Sequence, residues 1–169
     1  MKKLSVILLI VATLSGPVFA QDTMGIVTNP AMEGNLFKNG DMNNGTIGWQ
    51  GDRRFVDDGD NRVMEVKAKK SGPRVFSQEI STEKATGLTV KFKYKTADYK
   101  GKGLRIEVKW TSGNTQYTRY GDVELKADGA WQEAGNKITD INASKVSVVF
   151  TLSEGEGTVY FDDIMALKQ

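Results

Sequence analysis

A period of two runs through most of this chain and limits its fold more than any other feature. Leu88, Val90, Phe92 and Tyr94 alternate with Thr89, Lys91, Lys93 and Lys95. Leu104, Ile106, Val108 and Trp110 alternate with Arg105, Glu107 and Lys109. Val146, Val148 and Phe150 form a third run, and Val159 and Phe161 begin a fourth. Successive side chains of a strand point to opposite faces, so this phasing marks antiparallel strands buried on one side only. Further strands are expected around 62–68, 74–80, 115–120 and 131–137. Turn-forming clusters separate the runs, among them Gly59-Asp60-Asn61, Ser112-Gly113-Asn114, Asp128-Gly129 and Gly155-Glu156-Gly157. No sustained repeat of helical period follows residue 20. Short strands divided by such turns predict an all-β protein, a single antiparallel β-sandwich.

The N-terminus has a different character. Lys2 and Lys3 precede an apolar run over 4–14, then Gly16, Pro17 and the small-residue ending Val18-Phe19-Ala20. This layout predicts a secretory signal peptide cleaved after Ala20, and hence a secreted or periplasmic protein. The apolar run falls well short of the roughly 20 residues a spanning helix needs. The expected organisation is a signal peptide over 1–20, a flexible leader over 21–34 and one β-domain over 35–169, acting as a monomer. The sequence has 23 basic and 21 acidic residues, and the balance is even once Lys2 and Lys3 are gone. Neither nucleic acid nor an anionic membrane is favoured as a partner by that balance. Cysteine is absent, so no disulfide contributes. Histidine is absent too. That removes the commonest general acid–base and the commonest ligand for zinc, copper and iron. Catalysis would fall to carboxylates, Tyr, Lys or Arg.

Two terminal motifs make the reading more specific. The first is Asn35-Leu36-Phe37-Lys38-Asn39-Gly40-Asp41-Met42 followed by Gly48-Trp49, and the last is Val159-Tyr160-Phe161-Asp162-Asp163-Ile164. Between them lie Asp58-Gly59-Asp60-Asn61-Arg62-Val63-Met64, Phe76-Ser77-Gln78-Glu79-Ile80 and Gly129-Ala130-Trp131-Gln132. In this order and spacing the chain resembles carbohydrate-binding modules of families 4, 9 and 22 over about residues 35–167. The resemblance implies a jelly roll of the galactose-binding-like type, no catalysis, and a polysaccharide or oligosaccharide as partner. It also implies a structural calcium where the first and last strands meet, with Asp41, Asn43, Asp162 and Asp163 as candidate ligands. Members of these families carry an acid soon after the Asn-Gly-Asp, where this chain has Asn43 and Asn44.

The candidate residues follow from phase and chemistry. Continued alternation would aim Asp163 inward, and an unpaired buried carboxylate is costly. Either a β-bulge turns it out or a cation such as calcium, with its 6–8 oxygen ligands, compensates it. Trp49, Trp110 and Trp131 are expected in the core. Tyr117 and Tyr120 lie on opposite faces of one strand, so at least one faces away from the core. Tyr99 is expected exposed in a loop over 97–103. Sugars offer C–H faces that stack on aromatic rings and hydroxyls that bond polar side chains. A face carrying Tyr117, Tyr120, Arg105, Glu107 and Arg119, with Tyr99 nearby, is therefore the expected carbohydrate-binding site. Lys91, Lys93, Arg105, Lys109 and Arg119 on one face would favour a uronic or sulfated polysaccharide. A structural or adhesive jelly roll with a protein partner is the alternative, and a small polysaccharide lyase is a further one.

Overall fold

The computed structural model describes residues 32–83 and 85–169. The signal peptide and most of the expected leader, up to residue 31, lie outside the described residues. Ten strands form: β1 (Gln50–Gly51), β2 (Arg54–Asp58), β3 (Asn61–Lys67), β4 (Arg74–Ser81) and β5 (Gly87–Gly101), then β6 (Leu104–Ser112), β7 (Thr115–Val123), β8 (Gln132–Thr139), β9 (Lys145–Leu152) and β10 (Gly155–Lys168). They make two five-stranded sheets, β1-β4-β9-β6-β7 and β2-β3-β10-β5-β8, with every recorded strand pair antiparallel. The fold is a β-sandwich, as the alternation predicts, and of the jelly-roll kind that the resemblance implies.

The inward phase of both sheets forms one core. Phe76 and Phe150 stack with parallel rings 4.9 Å apart, and Phe161 of the opposite sheet lies 5.2 Å from Phe76. Phe92 meets Phe150 edge-on at 6.3 Å and Phe161 at 5.7 Å, so aromatic contacts cross between the layers. Trp49 and Trp110 are buried as expected. Trp131 is not: it is 39% exposed, because it precedes β8 and lies outside the sandwich beside Lys95. No helix among the described residues is long and apolar enough to cross a membrane.

Two backbone irregularities reset the phase. Between Glu156/Lys100 and Thr158/Ala97 the register slips, with one extra residue on β5. Asp98 there has φ +53° and Gly157 opposite has φ +83°. A Cβ on Gly157 would run into the Asp98 backbone. Strand β5 therefore continues through the expected loop, and Tyr99 turns inward. It is only 4% exposed. Its hydroxyl accepts from the Gly103 N–H at 3.2 Å and lies 3.0 Å from Ser153 Oγ. The expectation of an exposed Tyr99 is thereby corrected.

Candidate functional site

The terminal motifs meet in space. Beyond the end of β3, the segment over 35–40 lies along β10: Leu36 N–H donates to Ala166 O at 2.9 Å and Ile164 N–H to Gly40 O at 2.8 Å. Asn35 Nδ2 donates to Ile164 O, and its Oδ1 accepts from Ala166 N–H, both at 2.8 Å. Gly40 is required by this approach, since a Cβ would run into the Ile164 carbonyl. Buried Gln78 reaches the same segment, accepting from Lys38 N–H at 2.6 Å and donating to Lys38 O at 3.0 Å. Trp49 Nε1 donates to Asn39 O at 3.0 Å. These motif side chains thus tie the first segment to both sheets.

At this junction β10 carries a bulge between Asp162 and Met165, with Asp163 at φ +46°. The extra residue turns Asp163 outward, where Lys93 Nζ meets its carboxylate at 2.8 Å. That pairing holds the Lys93 pKa above its ordinary value. Asp162 is buried, and its oxygens accept from Asn61 Nδ2 and from the Asp163 N–H, each at 2.8 Å. Desolvation outweighs these bonds and pushes its pKa up to about 6. Asp41 is buried as well, whereas Asn43 is exposed. An ammonium holds Asp163, and among the described residues no three acids, histidines or cysteines come together as a metal cluster.

Strands β6 and β7 split the expected carbohydrate residues between two faces. Directly paired residues share a face, and Trp110 pairs with Tyr117 and Val108 with Arg119. Tyr117 and Arg119 thus take the inward phase, but at the sheet edge they remain exposed. Tyr117 stacks on Trp110 with centroids 5.5 Å apart, and Arg119 lies 5.8 Å from the Trp110 ring. Arg105, Glu107, Tyr120 and Asp122 stand on the opposite, outer face. There Arg105 forks onto Asp122, with its Nε and Nη2 at 2.7 and 3.1 Å from the two carboxylate oxygens. This ion pair holds the Asp122 pKa below the ordinary carboxylate value. The same guanidinium lies 4.6 Å from the Tyr120 ring centroid, and Tyr120 is 62% exposed. Lys109 pairs with Glu107 at 3.1 Å.

Beside Tyr120 the outer face opens into a cleft of about 830 Å³ lined by Lys102, Arg105, Asp122, Glu124, Thr151 and Ser153 among others. Thr151 pairs with Arg105 and shares its face, so β9 extends the platform. Lys91 and Lys93 are not part of it. They belong to β5 in the other sheet and line a separate cavity of about 620 Å³ with Asp163. The single basic face expected across β5, β6 and β7 is therefore corrected, because β5 and β6 are consecutive in sequence but lie in different layers. Missed at the sequence level is Trp131 with Tyr160: Lys95 Nζ sits 5.1 and 5.4 Å from these rings and pairs with Asp58 at 2.6 Å.

No protein-family model matches the sequence, and no curated relative matches it at a significant level. Solved structures do match in fold. A family 16 carbohydrate-binding module is 17% identical, with a TM-score of 0.59 over 79% of this chain and 100% of that one. A family 61 module in complex with β-1,4-galactotriose is 14% identical, with a TM-score of 0.53 over 80% and 99%. The enzymatically active domain of tailspike protein 4 from bacteriophage CBA120 is 11% identical, with a TM-score of 0.61 over 80% of this chain but 22% of that one. The fold is the jelly roll used by carbohydrate-binding modules.

Proposed function

We propose that this chain is an exported, non-catalytic carbohydrate-binding module, acting as a monomer, that holds a polysaccharide along the outer face of the first sheet. The observation that carries the reading is Tyr120, an exposed ring held by a guanidinium that lines the neighbouring cleft and is itself locked onto Asp122. Small-ligand sites combine aromatic surface with a few oriented polar groups, and this face offers both. Its strand charges are paired, Arg105 with Asp122, Lys109 with Glu107 and, further along the same face, Lys145 with Glu79, and the cleft adds one cation, Lys102, against one acid, Glu124. A face so neutralised suits an uncharged glycan, and the family 61 neighbour is described with a galactotriose.

The arrangement of acids supports a role without catalysis. Glycoside hydrolysis uses two carboxyl groups across a scissile bond, one of raised pKa. The raised acid here, Asp162, is buried and bonded internally, and its neighbour Asp163 is held by Lys93. The exposed large apolar residues Ile47, Val75, Tyr117, Tyr120 and Trp131 are spread over two loops, β4 and the edge strand β7. That dispersal favours a glycan over a protein partner, which would call for one contiguous patch. Calorimetry of the mature protein against β-1,4-galactan, xylan and mixed-linked glucan tests the reading. Removing a central aromatic contact costs more than about 1.4 kcal/mol, so Tyr120→Ala should weaken binding at least about tenfold. Its melting temperature should barely move. Unchanged affinity in Tyr120→Ala and Arg105→Ala would place the site elsewhere.

A further inference from the structure

The strongest excess of charge lies away from the Tyr120 face. Where the short strand β1 and the start of β4 meet the β2–β3 edge of the other sheet, a cleft of about 470 Å³ opens. Five of its lining residues are cationic, Arg53, Arg54, Lys67, Lys69 and Arg74, against only Asp52 and Glu65. Arg74 is paired with Asp52 at 3.0 Å and Lys67 with Glu65 at 3.7 Å. Among the described residues, no carboxylate within 4.0 Å pairs with the other three cations. Arg53 is the most telling of them. Its terminal nitrogens donate to the carbonyls of Gly51 and Trp49 at 2.9 and 2.7 Å, and its buried Nε–H has no acceptor. Carbonyls orient that guanidinium but leave its charge unneutralised, whereas on the Tyr120 platform Arg105 and Lys109 each meet an acid.

We infer that this cleft is an oxyanion site, and that its ligand is a carboxylate or sulfate borne by an acidic polysaccharide. Guanidinium groups suit planar and tetrahedral oxyanions, and a fixed one needs little ordering to bind. The cleft is of the size of small-ligand pockets and too small to take a nucleic-acid duplex as its ligand. The even charge balance beyond Lys3 likewise gives no extended basic surface for such a duplex to follow. The choice of a sugar polymer rests on the proposed carbohydrate reading; the site itself rests on the uncompensated charge.

The test measures binding of the mature protein to polygalacturonate, dextran sulfate, unmodified dextran and duplex DNA. Binding of either acidic polymer supports the site, and which one binds distinguishes carboxylate from sulfate. Raising salt from about 0.1 M, where charges act over ~10 Å, to about 1 M, where they act over ~3 Å, should abolish it. Arg54→Gln combined with Lys69→Gln, both exposed and unpaired, should lose about tenfold while Lys137→Gln on β8 loses nothing. Arg53 is left intact, since its bonds to Gly51 and Trp49 shape the backbone. Equal binding of DNA, equal loss in Lys137→Gln, or no binding of either acidic polymer overturns the inference. Neutral glycan binding through Tyr120 with no acidic binding would overturn this inference alone, and loss of all glycan binding would remove both readings.

Discussion

Asp162 is an acid placed where its charge is costly. Burial raises its pKa from an ordinary 3.8 to about 6, despite the bonds from Asn61 and the Asp163 N–H. A carboxyl whose folded pKa exceeds its unfolded one holds its proton more tightly in the native state. Its contribution to stability is therefore fully present below about pH 4 and is lost as the pH rises through about 6. Part of the shift is screened by solvent, so the expected loss is about 1–2 kcal/mol rather than the full linkage value. Asp162→Asn keeps an acceptor for the Asp163 N–H, and Asn61 can turn its amide to match. The variant should gain about 1–2 kcal/mol over the parent between pH 4.5 and 7.5, read as the difference between their melting curves at those two values. Parallel pH dependence in the two proteins would mean that Asp162 keeps its charge at little cost.

Strands were legible because their side chains report the phase directly. Leu88 to Tyr94 and Leu104 to Trp110 alternate without interruption, and both runs are strands with the expected face buried. What alternation does not show is an inserted residue. Asp98 at φ +53° moves Tyr99 from the outer phase to the inner one, and Asp163 at φ +46° does the reverse for its own carboxylate. The two faces of β6–β7 were legible as opposite, but their partners were not. Nothing local in Lys91 or Lys93 says that β5 joins the other sheet, because layer assignment is decided by long-range pairing. Gly40 shows how tightly one such pairing is made. Its backbone lies against Ile164 where the first segment joins β10, so Gly40→Ala must push the two apart. The expected cost is about 1–3 kcal/mol by chemical denaturation, as for other overpacked sites. Gly45→Ala is the comparison: it meets open space at φ +62°, so it should lose only about 1 kcal/mol of backbone strain. Equal losses would show that the first segment and β10 give way to the added methyl at little cost.

Neither sheet can bury its apolar face alone, and the aromatic contacts show how the two depend on each other. Phe150 stacks on Phe76 within the first sheet and meets Phe92 of the second edge-on, while Phe37 of the first segment packs against it at 6.0 Å. It therefore joins three parts of the molecule at one point. Truncating a buried phenylalanine removes its transfer free energy and leaves a cavity, together about 3–5 kcal/mol. Phe150→Ala should lose stability on that scale. A core shared in this way also predicts that both sheets unfold in one step. The three tryptophans provide the measurement: Trp110 is buried on β6 of the first sheet, and Trp131 is exposed beside Lys95 of the second. Variants keeping only Trp110 or only Trp131 should show coincident urea transitions by fluorescence, matching the loss of β signal in far-ultraviolet circular dichroism. Separate midpoints would mean that the layers are held by independent cores. The basic cleft, lined from both sheets, would then be lost as soon as either layer unfolds.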